Sequence, residues 1–303
     1  MCLTQKAALY GAGIAGLDRA AGTWKMLALG EKMRFIAWLG FSATVALAGC
    51  QTVQTTQGGV VGVERKQTMS SLISASQIDQ SAAEGYGKVT SEAGKKNQLN
   101  RDSAQVARVR GVANRLIPNT AAFRADAPSW KWEVNVITSD EVNAWCMPGG
   151  KIAVYTGLLT KLNPTDEELA AVMGHEIAHA LREHGRERAS EQMAQQIGVG
   201  VLGAALGFGD TSAQLAQTLL DVTLSLPHSR TQETEADRIG VELAARSGYD
   251  PRAAVSLWQK MGKLGGGKPP EWMSTHPSDQ NRIRDLQNYS DRVMPLYEAA
   301  RKR

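Results

Sequence analysis

The sequence predicts an α+β fold, mainly α-helical, with a small sheet. Three observations carry this. Apolar residues recur at helical spacing within 101–118, 166–181 and 229–251. Two short stretches, 130–138 and 151–159, are built on strand-forming residues instead. The chain of 303 residues is 43% hydrophobic and 21% charged, which suits a globular core.

Residues 1–49 read as an upstream extension plus a leader. Arg34 precedes an apolar run from Phe35 to Leu47 and the small-residue ending LAGC. The run is shorter than the roughly 20 apolar residues that span a bilayer and fits the apolar region of a secretory signal peptide. LAGC resembles a bacterial lipobox, which implies cleavage before Cys50 and its lipidation. Because the leader is complete, translation is expected to start at Met33 or Met26. The stretch Gly11-Ala12-Gly13-Ile14-Ala15-Gly16 then matches a dinucleotide fingerprint only in letters, since no strand or βαβ unit surrounds it. Gln51, not Asp, follows the cysteine. By resemblance to such lipoproteins, the expected location is the periplasmic face of a Gram-negative outer membrane, with the lipid as membrane anchor.

Residues 1–49 hold five basic and two acidic groups, so without them the charge falls from +4 to about +1. That does not indicate a nucleic-acid partner. Cys2 and Cys50 leave the thiol pool with the leader and the lipid. Cys146 alone makes no internal disulfide and is expected as a small buried apolar residue.

Residues 50–63 are polar and glycine-bearing and read as a lipidated tether. From 64 to 117 the pattern is helical, with Val106, Val109, Val112, Ala113, Leu116 and Ile117 on one stripe before Pro118. Alternation at Trp132, Val134, Val136 and Thr138 predicts a strand. The turn Pro148-Gly149-Gly150 leads into the second, 151–159. Thr165 and Glu168 form a capping-box pattern, and Asp166, Glu167 and Glu168 suit a helix N-terminus. The tryptophans, including Trp130, Trp132, Trp145 and Trp258, read as packing residues. The apolar run 197–208, with Gly203 and Gly207, is too short to span a membrane and reads as a packed helix or flap. Residues 264–273 read as a flexible loop able to gate a cleft.

On the helix beginning at 166, His175 and His179 stand one turn apart on one face and can address one metal ion. Glu176 is turned about 100° from His175, which suits a carboxylate that contacts a water rather than the ion. A catalytic zinc site needs a third protein ligand. His184 is rejected on spacing, since it lies rotated away from the ligand face of a continuous helix. Glu233 and Asp237, four apart on the next helical segment, are better placed, one for the ion and one to fix a ligand histidine. By composition alone Glu235 remains a rival.

HEIAHALREHGRER, SRTQETEADRIGVELAARSGYDPRAAVSLWQKM and STHPSDQNRIRDL, with NAWCMPGGKIAVYTGLL upstream, resemble the HtpX, Oma and CAAX-prenyl-protease superfamily of zinc metallopeptidases over 143–286. The resemblance is nearest to its periplasmic BepA- and LoiP-like members. It implies a zincin-type metalloprotease domain over 64–303 with N-terminal helices and a small sheet whose edge strand lies beside the zinc helix, and one Zn²⁺ held by His175, His179 and Glu233. It makes Glu176 the general base and Asp237 the support of a ligand. His276 matches the family's His-Pro histidine near the active site, followed six residues on by Arg282; these two and His228 are candidate oxyanion donors. In BepA-like members that histidine can approach the zinc and hold the enzyme shut.

The activity implied is endopeptidase cleavage by Glu-assisted attack of water, with an extended peptide added beside 151–156. The implied substrates are unfolded or misassembled envelope polypeptides, with the outer-membrane assembly machinery as a partner. Two other classes compete: a lipoprotein chaperone or assembly factor with a closed zinc site, and an amidase acting on cell-wall peptides.

Overall fold

The chain divides into two units, Met1–Gly49 and Cys50–Arg303. The computed structural model describes residues 50–199, 211–264, 270–277 and 281–302, all in the second. The leader with Met26 and Met33, the stretch Gly11 to Gly16, positions 200–208 of the apolar run and 265–269 of the glycine loop lie outside the described residues. Among the described residues no helix is long and apolar enough to cross a membrane.

Strand β1 (Cys50–Val53) pairs antiparallel with β2 (Gln67–Ser70), setting exposed Cys50 opposite Ser70. The segment 50–63 is therefore not a tether, which corrects the sequence reading. Val61 and Val63 are buried in the main core, and the Val61 N–H donates to buried Glu242 Oε2 at 2.9 Å. Polar and glycine letters conceal two core positions.

Helices α1 (Ala75–Lys95) and α2 (Ser103–Leu116) follow. Asp102 caps α2 by accepting from Ala104 and Gln105 N–H, and the expected stripe of Val106, Val109, Val112, Ala113 and Leu116 is buried.

The three-stranded sheet has the order β3–β5–β4, with β3 (Glu133–Ile137) parallel to β5 (Lys151–Tyr155) and β4 (Ala144–Met147) antiparallel to it. The expected strand over 151–159 ends at Tyr155, where the Thr156 hydroxyl donates to Ser139 O and accepts from Ser139 N. Helix α3 (Thr156–Lys161) takes over. This strand is central, so the expectation of a peptide pairing beside 151–156 is corrected. Strand β4 is one of the two edges. All four of its residues are buried, and a run buried on both faces has no period-2 signature to read.

Helix α4 (Asp166–Leu181) has the capping box in full, with Thr165 Oγ1 accepting from Glu168 N at 3.2 Å and Glu168 Oε2 accepting from Thr165 N at 2.8 Å. Arg182 caps it and Glu183 turns the chain with φ +52°. Helices α5 (His184–Val199), α6 (Thr211–Leu220), a π-helical turn at Asp221–Ser225, α7 (Arg230–Arg246), α8 (Ala253–Leu264), α9 (Glu271–Thr275) and α10 (Arg282–Ala300) complete the described chain. Helices α4 and α7 cross where Gly174 meets Gly240. A Cβ on Gly174 would lie 2.9 Å from Gly240 O, and one on Gly240 would lie 2.8 Å from His175 N. No side chain separates the backbones there, so residues of both helices reach one site.

Candidate metal centre

Burial alone marks α4 as unusual: both histidines and Glu176 are buried along with its apolar residues. Helix α7 brings Glu233 and Asp237 across from it, and α9 ends beside it with His276. One nitrogen from each of His175, His179 and His276 and one Glu233 oxygen lie within 4.8 Å of one another. The separations are 3.0 Å from His175 Nε2 to His179 Nε2, 3.5 Å from His175 Nε2 to Glu233 Oε2 and 3.4 Å from His179 Nε2 to Glu233 Oε1. Tetrahedral ligands at bond lengths near 2.1 Å stand about 3.4 Å apart. The donor set therefore fits a divalent ion of zinc's size. Two of its atoms, Glu233 Oε1 and His276 Nε2, are buried with no hydrogen-bond partner, which costs free energy unless a cation satisfies them.

The electrostatics agree. Burial holds the imidazolium form of His179 well below its usual range, and the neighbouring His228, His175, His184 and His276 add to this. Burial likewise lowers His175 against the opposing pull of Asp237. The Glu233 carboxyl is pushed well above the carboxylate range by burial, with Asp237 and Glu176 adding to it and Arg282 opposing. Neutral imidazole is the form that ligates a metal, and a carboxyl raised by burial is one that a bound cation would return to its ionised form.

Glu176 is buried beside the donors, its carboxyl pushed up to about 8 by burial against the Trp272 hydrogen bond and the Arg282 charge. Trp272 Nε1 donates to Glu176 Oε1 at 2.7 Å, and His276 Nε2 stands 3.4 Å from that oxygen. Asp237 Oδ1 accepts from His175 Nδ1 at 3.0 Å, which leaves His175 Nε2 free to face the donors. Arg282 is a correction. Expected as an oxyanion donor, it gives Nη1 to Glu233 Oε2 at 3.0 Å and Nη2 to Asp237 Oδ1 at 2.7 Å. Its guanidinium lies 3.6 Å from the Trp258 ring centroid. Two buried carboxylates require a counter-charge, and Arg282 supplies it. His228 lies with its ring 4.1 Å from that of His179 and 5.0 Å from that of His276.

Sequence spacing misplaces His184. It is fully buried, and its Nδ1 is 2.8 Å from His179 Nδ1. Glu235 is no ligand either: its Oε2 is 3.1 Å from His184 Nε2. Burial would raise the Glu235 carboxyl, but His184, Arg65 and Arg182 hold it down at about 2. Sequence reasoning misses Arg188 and Trp272. Buried Arg188 donates to the carbonyls of Val222, Leu226 and Pro227, pinning the π-helical turn beside His228. One signal is available: the chain has five histidines, and all five stand in this cluster.

The sequence profile of peptidase family M48 matches residues 103–290. The chain is 39% identical over 168 residues to the mitochondrial metalloendopeptidase OMA1 of Arabidopsis thaliana, covering 55% of this chain and 33% of that protein. It is 36% identical over 215 residues to the Bos taurus metalloendopeptidase OMA1, covering 66% and 39%. With the beta-barrel assembly-enhancing protease of Yersinia pestis it shares 31% over 194 residues, covering 61% and 38%. In these three alignments the chain spans between a third and two fifths of the relative's length.

Proposed function

The chain belongs to peptidase family M48, and from that premise we propose that it is a zinc-dependent endopeptidase of the bacterial envelope that cleaves unfolded or misassembled polypeptides. One observation carries the reading. Three imidazole nitrogens and a carboxylate oxygen converge within 4.8 Å, and a carboxylate that is not among them, Glu176, lies beside them in a water-excluded setting. A structural metal cage needs no such carboxylate.

His175, His179 and Glu233 would hold the ion, with His276 as a fourth donor at rest. When bound, zinc supplies a water of lowered pKa and a polarised scissile carbonyl. Glu176 takes the proton from the attacking water and returns it to the leaving amine. Asp237 fixes His175 through Nδ1, and Arg282 braces both carboxylates, holding Asp237 ionised and opposing the burial of Glu233. His276 and His228, whose rings lie beside that of His179, are the candidate oxyanion donors. Since α9 carries Trp272 and ends at His276, a peptide reaches Glu176 only after α9 moves aside. Strand β4 is the sheet edge beside α4 and supports strand-wise pairing of an extended substrate. A compact native protein offers no such strand.

The envelope assignment is supported by the leader pattern before Cys50, by the exposure of Cys50 at the start of β1, and by the bacterial relatives whose names refer to β-barrel assembly. We propose lipidation at Cys50, the outer membrane as location and its assembly machinery as partner on these grounds. The test compares the parent with Glu176→Gln for zinc content and for cleavage of a casein-like unfolded chain. Retained zinc with cleavage lost supports the reading; equal cleavage by both sinks it. The second reading, a chaperone with a closed zinc site, is favoured by His276 standing within the donor cluster. Cleavage absent from both proteins, alongside suppressed aggregation of an unfolded client, is its signature.

A further inference from the structure

We propose that His184 and Glu235 form a positioning relay that fixes the tautomer and aim of His179; the inference rests on the zinc reading above. The two histidines of the motif are supported unequally. His175 gives its Nδ1–H directly to Asp237. His179 has no carboxylate at its Nδ1 and meets another imidazole, His184 Nδ1, at 2.8 Å. Between two neutral imidazoles one nitrogen donates and the other accepts, so the pair has two directions open to it. In one, His184 donates, His179 carries its proton on Nε2, and that nitrogen is lost to the ion.

Glu235 selects the other. An ionised carboxylate only accepts, so its Oε2, 3.1 Å from His184 Nε2, keeps the His184 proton on Nε2. His184 Nδ1 is then an acceptor, His179 Nδ1–H must donate to it, and His179 Nε2 turns its lone pair to the donor cluster. Glu235 is itself clamped: Arg65 Nε donates to Oε1 at 2.6 Å, and Arg65 Nη2 and Arg182 Nε donate to Oε2 at 3.0 and 3.1 Å. The bend at Glu183 makes the relay possible. On an unbroken helix His184 would point away from His179; with φ +52° at Glu183 the chain folds it back. The left-handed region is strained for a non-glycine residue, and here Arg124 Nη1 at 2.6 Å and Arg186 Nη1 at 3.0 Å hold the Glu183 carboxylate.

The test measures zinc dissociation constants by chelator competition and Co²⁺ absorption spectra on the full folded chain. Glu235→Gln and His184→Phe are each expected to weaken zinc binding about 10–100-fold, the range for residues that orient a ligand, and to shift the Co²⁺ bands. The double variant is expected to lose no more than the worse single, because both act through one chain of bonds. His184→Gln, whose amide both accepts and donates, guards against poor packing of the phenyl ring and should fall between parent and His184→Phe. Glu242→Gln loses an ion pair with Arg246 whose partners include none of the residues assigned to the site; it should lower the melting temperature and leave zinc affinity within about twofold. Folded relay variants that bind zinc as the parent does, with parental Co²⁺ spectra, overturn the relay. So does a Glu242→Gln variant that weakens zinc equally. A parent that takes up no zinc overturns the proposed function instead.

Discussion

Adding one methyl group at Gly240 tests whether the helix crossing sets the metal site. The new Cβ would stand 2.8 Å from His175 N and 3.0 Å from Gly174 C and His175 Cα. All three are backbone atoms of α4, so no rotamer change relieves the overlap. Ordinary carbon contacts lie near 3.5–4.0 Å, so α7 must retreat by about 0.7–1 Å. Alanine in a helix interior gains about 1 kcal/mol over glycine, while overpacking costs about 1–3 kcal/mol, leaving a net loss of about 0–2 kcal/mol. The larger consequence falls on the site. Glu233 rides on α7, and metal ligands tolerate displacements of only about 0.2 Å. Zinc affinity should fall about 10–100-fold, the range for losing the orientation of a ligand, while the protein stays folded. Gly111, also inside a helix but with nothing within 4 Å of where its methyl would stand, is the control: Gly111→Ala should gain about 0.5–1 kcal/mol and leave zinc binding alone. Urea melts of the metal-free proteins and chelator competition read both quantities. A Gly240→Ala protein that is as stabilised as Gly111→Ala and binds zinc like the parent refutes the argument.

Further outcomes follow from the same contacts. Asp237→Asn removes the acceptor of His175 and one partner of Arg282, and should weaken zinc about 10–100-fold in chelator competition. Arg282→Met strands the buried Asp237 carboxylate without its counter-charge and should cost the metal-free protein about 3–5 kcal/mol in denaturant melts. Burial would raise the Glu168 carboxyl, but hydrogen bonds from Lys260, Ser256 and the Thr165 N–H bring it below its ordinary value. A carboxylate lowered on folding stabilises above its unfolded pKa and loses that contribution as pH falls through the folded one. Glu168→Gln should therefore cost about 1 kcal/mol at neutral pH, a gap that closes in melts taken down through the acid range. Removing zinc with a strong chelator should lower the melting temperature of the parent and leave that of a His175→Ala/His179→Ala variant unchanged.

Legibility follows locality. The Thr165–Glu168 box and the stripe from Val106 to Leu116 are decided within a few residues, and both can be read from the letters. Strand β4 cannot, because burial on both faces erases alternation and only its neighbours make it a strand. The segment 50–63 reads as a tether since Val61 and Val63 acquire meaning only against Glu242 and the core. In the site, the separations of His175, His179, Glu233 and Asp237 follow from helical periodicity and are legible as a pattern. The same arithmetic sets His184 aside, because it assumes a continuous helix; one left-handed residue, Glu183, invalidates it. Arg282 is visible as a position but not as a partner, because its role depends on two carboxylates brought from another helix.

The clamp of Arg65 on Glu235 joins residues 170 apart in the chain. A loop of that length closes late compared with the helix turns and hairpins inside it, since distant contacts must wait for the intervening chain to collapse. His179 thus receives its final support only after the segment behind Cys50 has docked against α5 and α7. Contacts of that range place the completion of the proposed centre late in folding. A newly made chain passes through its own unfolded stage, when it is itself a substrate of the proposed kind, before it can cut anything.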